Sequence, residues 1–210
     1  MNPSAAATET EAATDRRAAL VVLAGTFAAY LLTAPRTVVL EDDGFFQQAA
    51  WFNAIAHPPG YPLYVALAHA ATLIPAGSVA LRVHAMTGLF AALACVALFQ
   101  LARRLALGTA AALAAALALG YSQAFWSQAI IADVYSLNVL LFLTATVLCL
   151  TVRDKRAAVS DGLDDRLRQI PLLLQLEPRV RKPHPQLARL PGGGHAQRRT
   201  EQSMVDQGRY

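Results

Sequence analysis

VHAMTGLFAALACVALFQLA fills residues 83–102, and Arg103-Arg104 follows at once. A stretch of that length without Asp, Glu, Lys or Arg meets the roughly 20 apolar residues that a helix needs to cross a bilayer core of about 30 Å. Lipid offers backbone N–H and C=O groups no partner, so the segment must pair them internally, as a helix. Working outward, residues 18–35, 44–81, 105–132 and 134–152 are equally free of charge. Arg16-Arg17 ahead of the first run also suits a secretory signal, but residues 18–34 are long for one and Pro35 follows the best cleavage point. An uncleaved first span is the better reading.

The remaining charges are distributed unevenly. Residues 1–152 hold 6 Lys+Arg and 7 Asp+Glu, whereas residues 153–210 hold 12 and 7. The net charge of +4 is therefore −1 for the first part and +5 for the second. The basic pI of 9.4 describes the tail and is no argument for a nucleic-acid partner. Cys95 and Cys149 both fall in apolar runs and read as buried packing thiols rather than a disulfide.

These features predict an all-α polytopic membrane protein. A flexible cytoplasmic leader (1–17) precedes spans at about 18–35, 83–102, 105–121 and 134–152. The loop 36–82 carries juxtamembrane helices, because the run 63–74 before Pro75 is too short to cross. Placing Arg16-Arg17, Arg103-Arg104 and Arg153/Lys155/Arg156 in the cytoplasm satisfies the positive-inside rule with four spans. Trp51, Tyr61, Tyr64, Tyr121, Phe125, Trp126 and Tyr135 then lie near the outer interface, where amphipathic aromatics collect. From Arg153 on, five prolines, Gly192-Gly193-Gly194 and scattered Arg and Gln predict a disordered tail. A reading-frame shift in a GC-rich gene after about codon 155 would produce that change, a hypothesis the coding DNA tests.

Three places could carry chemistry. Glu41-Asp42-Asp43 clusters carboxylates whose repulsion raises their pKa values; they suit a divalent cation held by Glu41 and Asp42, a general base, or simply a solvated loop. His57-Pro58-Pro59-Gly60-Tyr61-Pro62-Leu63 is a stiff corner. Pro59-Gly60 fits the centre of a type II turn, Pro62 fits the first position of a helix, and residues before proline are driven extended. Such a corner could turn His57 and Tyr61 toward the acids, or serve only to join two surface helices. Asp133 is the only acid between Asp43 and Asp154, and with Arg82 it is either functional or an interfacial anchor. His69 and His84 read as packing or interfacial residues. No metal-binding Cys/His spacing, P-loop, dinucleotide fingerprint or serine elbow is present.

Asp42-Asp43-Gly44, the block His57–Leu63, Gly77–Val83, Phe125–Ala129 and Ala132–Asn138 together resemble a bacterial multi-pass membrane-protein family of unknown function. That family is similar to the eukaryotic transmembrane protein O-mannosyltransferases, of the GT-C glycosyltransferase type, and the likeness covers roughly residues 20–155. It implies transfer of a sugar from a polyprenyl-phosphate donor to an acceptor hydroxyl at the outer face of a bacterial inner membrane, with the N-terminus cytoplasmic. The implied catalytic residues are Asp42, Asp43 and Asp133, with His57, Tyr61, Arg82 and Tyr135 binding substrate. A carboxylate would take the acceptor proton as the lipid phosphate leaves, with Arg82 or a bound cation stabilising that phosphate. Many relatives read Asp-Ser-Gly-Glu where this chain has Asp42-Asp43-Gly44-Phe45, and they continue through further spans. A non-catalytic membrane protein (a truncated product or scaffold subunit) is the competing reading. A transporter ranks last, because polar residues near the midplane are few.

Overall fold

The computed structural model describes the backbone of residues 3–180 and the side chains of residues 9–163. Regular structure among them is entirely helical: α1 (Pro3–Thr33), α2 (Asp43–Phe52), α3 (Pro62–Thr72), α4 (Val79–Arg104), α5 (Thr109–Gly120), α6 (Gln123–Ala129) and α7 (Tyr135–Val180). Three segments are long and apolar enough to cross a membrane: Glu9–Thr33, Val79–Arg104 and Tyr135–Leu163. Residues 1–156 form one compact unit and residues 157–210 a second.

Two boundaries differ from expectation. The leader is helical from Pro3, where Ala and Glu favour helix and where Glu11 and Asp15 are tied to Arg103 at 2.6 and 2.8 Å. The last helix does not stop near Val152 but continues to Val180. Residues 153–170 are rich in Arg and Asp, and the straight-chain residues Arg, Lys, Leu and Gln among them lose little rotamer freedom in a helix. The part of the expected disordered tail from 181 to 210 lies outside the described residues.

The main core lies where α1, α4 and α5 meet. Val22, Tyr30, Ala91, Ala92, Cys95, Phe99, Ala112 and Ala116 are buried there, with Phe125, Ala129 and Leu143 closing it. Small residues let the backbones approach closely. Gly120 is the tightest point: a Cβ there would stand 3.0 Å from Cys95 Sγ and 3.1 Å from Thr26 Cγ2. The Tyr30 hydroxyl donates to the Gly120 carbonyl at 2.7 Å, satisfying an acceptor at the end of α5. Cys95 is buried in this core as expected, but Cys149 is exposed on α7; both are free thiols.

The fourth expected span, 105–121, is not a continuous crossing helix. The 12 residues of α5 rise only about 18 Å at 1.5 Å per residue. The chain instead regains the height of α4 in pieces. Thr109 starts level with Asp15 and Arg103 through a 3.0 Å bond to Asp15, and Gly120 ends level with Cys95. After α6, the Ala129 carbonyl lies beside Gly88, and the Ala132 amide reaches Asp43. Tyr121 and Trp126 consequently meet at mid-height, with tilted rings whose centroids are 5.4 Å apart and Trp126 edge-on to Tyr30, rather than at the Asp43 end of the bundle. Ser122 breaks the line, its hydroxyl bonding back to the Leu119 carbonyl at 2.8 Å.

A second cluster holds the short helices α2 and α3 over one end of the bundle. Phe46, Ala50, Tyr64, Val65 and Ala68 pack against Val83, Ala132 and Leu137. With 10 and 11 residues, neither helix is long enough to cross, in keeping with the reading of 45–75 as short helices. Pro62 opens α3 as expected.

Candidate functional site

The second and third acids of the 41–43 cluster have opposite surroundings. Asp43 is 1% exposed, and each of its oxygens accepts two hydrogen bonds. Oδ1 takes His84 Nε2 at 2.6 Å and the Ala132 amide at 2.8 Å. Oδ2 takes the Val39 amide at 2.8 Å and Gln47 Nε2 at 2.9 Å. The other nitrogen of His84 faces the Pro35 carbonyl at 2.8 Å; that oxygen can only accept, so Nδ1 carries a hydrogen. Asp43 thereby ties the loop after α1, helix α2, helix α4 and the turn before α7 to one carboxylate. Burial works to raise its pKa, but bonds from His84, Val39, Ala132 and Gln47 outweigh it and hold the carboxyl below its ordinary 3.8.

Asp42 sits on the surface just ahead of α2, its side chain 61% exposed, with Oδ2 3.5 Å from His57 Nε2. Glu41 holds the turn with φ at +69°. His57 is placed by aromatic neighbours. It stacks on Phe45 with centroids 5.1 Å apart and meets Tyr61 edge-on at 5.6 Å. The corner that carries it is closed from the Gly60 amide to the His57 carbonyl at 2.8 Å, around a cis Pro58-Pro59 peptide. The turn is thus centred one residue earlier than expected, on Pro58-Pro59. Gly60 does take positive φ, at +94°. Tyr61, expected to be extended ahead of Pro62, is left-handed with φ at +43°, its ring held edge-on against Phe46 and His57.

Asp133 lies nearby in the turn before α7 and is 6% exposed. Its pKa is raised, chiefly by burial, with the charges of Asp42 and Glu41 adding to the effect against a bond from the Val134 amide. The exposed Asp42 and the buried Asp133 therefore sense each other across the cluster. Alongside runs an apolar groove of about 360 Å³, lined by Tyr61, Tyr64, Val134, Tyr135, Asn138 and Leu141 among others. Tyr61 and Tyr135, named from sequence, meet here.

Arg82 is not brought to these acids. Its guanidinium donates to the Thr72 and Ile74 carbonyls, the latter at 2.6 Å, and so caps the end of α3. His69 is a packing residue as read, bonding the Ala50 carbonyl at 2.8 Å. His84 was missed as Asp43's partner. The signal was available: an ionisable side chain inside an otherwise charge-free span needs a partner. Gln47 and the Ala132 amide had no such signal. Among the described residues, no group of three or more His, Cys, Asp or Glu could hold a metal.

The pH dependence of stability follows from these surroundings. Because the Asp43 carboxyl is lowered in the folded state, its contribution is fully present above 3.8 and is lost as pH falls through the folded value. Asp133, raised in the folded state, acts oppositely: its contribution declines as pH rises from 3.8 through its own folded value. Thermal unfolding of the detergent-solubilised protein should show a midpoint that drops below about pH 3.8. Asp43→Asn should lack that acid limb; an unchanged limb would remove Asp43 as its source.

Residues 42–174, well over half of the chain, match the family described as the Protein O-mannosyl-transferase TMEM260 N-terminal domain. The chain belongs to this family. The match begins at Asp42 and runs beyond residue 155, into the segment where the charge composition changes. The mouse (Mus musculus) Protein O-mannosyl-transferase TMEM260 is 39% identical over 145 residues, which is 69% of this chain and 20% of the mouse protein. This member of the TMEM260 family thus spans about a fifth of that relative's length. No solved structure matches it.

Proposed function

We propose that this TMEM260-family chain carries the first carboxylate site of a GT-C-type membrane glycosyltransferase, one that moves a sugar from a polyprenyl-phosphate donor to an acceptor hydroxyl. The observation that carries the reading is the contrast between Asp43 and Asp42. Asp43 is consumed in holding four segments together, and the same anchor fixes the backbone that presents Asp42 to solvent beside His57. Asp42 then acts as the general base that takes the acceptor proton as the sugar bond to phosphate breaks. His57 orients its carboxylate, and Asp133 sets the local charge. The groove at Tyr61 and Tyr135 would take the apolar part of a substrate, because it is mostly apolar and opens beside the acids.

For orientation, Arg103 contacts Asp15, so the bases of α1 and α4 share one end of the bundle, opposite the Asp43 end. The positive-inside rule then puts the N-terminus in the cytoplasm and Asp42 at the outer face, in a bacterial cell at the inner membrane. The test is transfer of radiolabelled mannose from a polyprenyl-phosphate-mannose donor to acceptor protein, in membranes containing the full protein. Transfer above that of membranes lacking the protein is expected. No transfer from this or any other polyprenyl-phosphate sugar would favour a non-catalytic membrane subunit.

A further inference from the structure

At the end of the bundle away from Asp42, α1 and α4 enclose an open groove of about 470 Å³. It is lined by Asp15, Arg16, Ala19, Phe99, Gln100, Arg103 and Arg104. Its charges are not equivalent. Arg103 is consumed by structure: Nε bonds Asp15, Nη2 bonds Glu11, and Nη1 bonds the Leu107 carbonyl at 2.7 Å. The second oxygen of Asp15 accepts from the Thr109 hydroxyl. This network pins the base of α1 to α4 and to the start of α5, and it leaves the acids of the groove neutralised. Arg16 and Arg104 have no bond or ion pair among the described residues, and both are exposed. Two unspent guanidinium groups thus flank a cleft whose inner wall, Ala19 and Phe99, belongs to the apolar spans.

We infer that this groove binds the phosphate headgroup of an anionic phospholipid of the surrounding membrane, with Arg16 and Arg104 on the phosphate and Gln100 on its ester or glycerol oxygens. The chemistry follows from place and charge. The groove opens where two crossing helices leave the apolar layer, which is headgroup depth, and guanidinium is suited to paired bonding of phosphate oxygens. The adjoining wall at Ala19, which continues into the apolar span of α1, would take the first acyl carbons, which distinguishes a lipid from a free anion. The site is independent of the proposed sugar transfer, lying at the opposite end of α4.

Native mass spectrometry of the full chain in detergent, titrated with phosphatidylglycerol, tests this. Interfacial arginines contribute about fivefold each in affinity for anionic lipid, so Arg16→Gln with Arg104→Gln should weaken retention of the first phosphatidylglycerol by about thirtyfold. Arg36→Gln, an exposed arginine before α2, should leave it unchanged. Neither Arg16 nor Arg104 belongs to the Arg103 network, so the unfolding temperature should stay at the wild-type value, which separates lost binding from lost fold. Phosphatidylcholine should bind weakly and equally to wild type and the double variant, and inorganic phosphate should not displace the lipid. Wild-type retention by the double variant, equal binding of the two lipids, or displacement by inorganic phosphate would overturn the inference.

Discussion

Asp43→Ala is expected to cost about 3–5 kcal/mol of stability, the upper range for substitutions that break a buried hydrogen-bond network. The loss exceeds that of one contact, because four donors are left facing a void: His84 Nε2, Gln47 Nε2 and the Val39 and Ala132 amides. A buried N–H without an acceptor costs about 1–3 kcal/mol. Asp43→Asn should be milder but still harmful. Either orientation of its amide turns an NH₂ group toward a backbone N–H, Ala132 on one side or Val39 on the other. Two measurements check this: the unfolding midpoint in detergent, and protease access to the 130–134 turn. Wild-type stability in Asp43→Ala would mean that the turn before α7 is held by apolar packing alone. Such packing is present, since Ala132 and Leu137 sit in the second core cluster, so the experiment discriminates between two physical causes.

Asp42→Asn should behave in the opposite manner. Its side chain is exposed and, among the described residues, makes one polar contact, the 3.5 Å approach to His57, so stability should change by less than about 0.5 kcal/mol, as for surface substitutions generally. Sugar transfer, if Asp42 is the base, should fall by about 10²–10⁴-fold, the range for a positioned general base. The two variants separate anchoring from chemistry at adjacent positions. Transfer that survives Asp42→Asn in a normally folded protein would take the base role from Asp42. The buried Asp133, whose raised pKa favours the protonated form, would then be the next carboxylate to substitute.

The helical membrane character was legible in residues 83–102, because length and charge exclusion alone decide whether a segment can sit in lipid. The short helices of the 43–75 segment and the helix start at Pro62 were legible for similarly local reasons, a proline ring being compatible with the first helical turn. The turn at 57–60 was placed one residue off, because Pro58-Pro59-Gly60 offers two overlapping four-residue turns and the packing of His57 against Phe45 chose between them.

What the chain alone could not decide was which of two neighbouring aspartates faces inward. A helix start places successive side chains roughly 100° apart, so the burial of Asp43 and the exposure of Asp42 depend on how α2 is rotated over α4. That rotation is set by Phe46 and Ala50 entering the second core and by His84 waiting beneath, 41 residues away along the chain. The broken fourth passage has the same origin. Residues 105–121 are apolar enough for a span, yet Gly120 must meet Cys95 and Tyr30 at mid-height, so the helix ends there. Apolarity is local and was readable in the residues themselves. The partners of polar groups and the heights at which helices end are set by segments distant in sequence, and only the packed fold determines them.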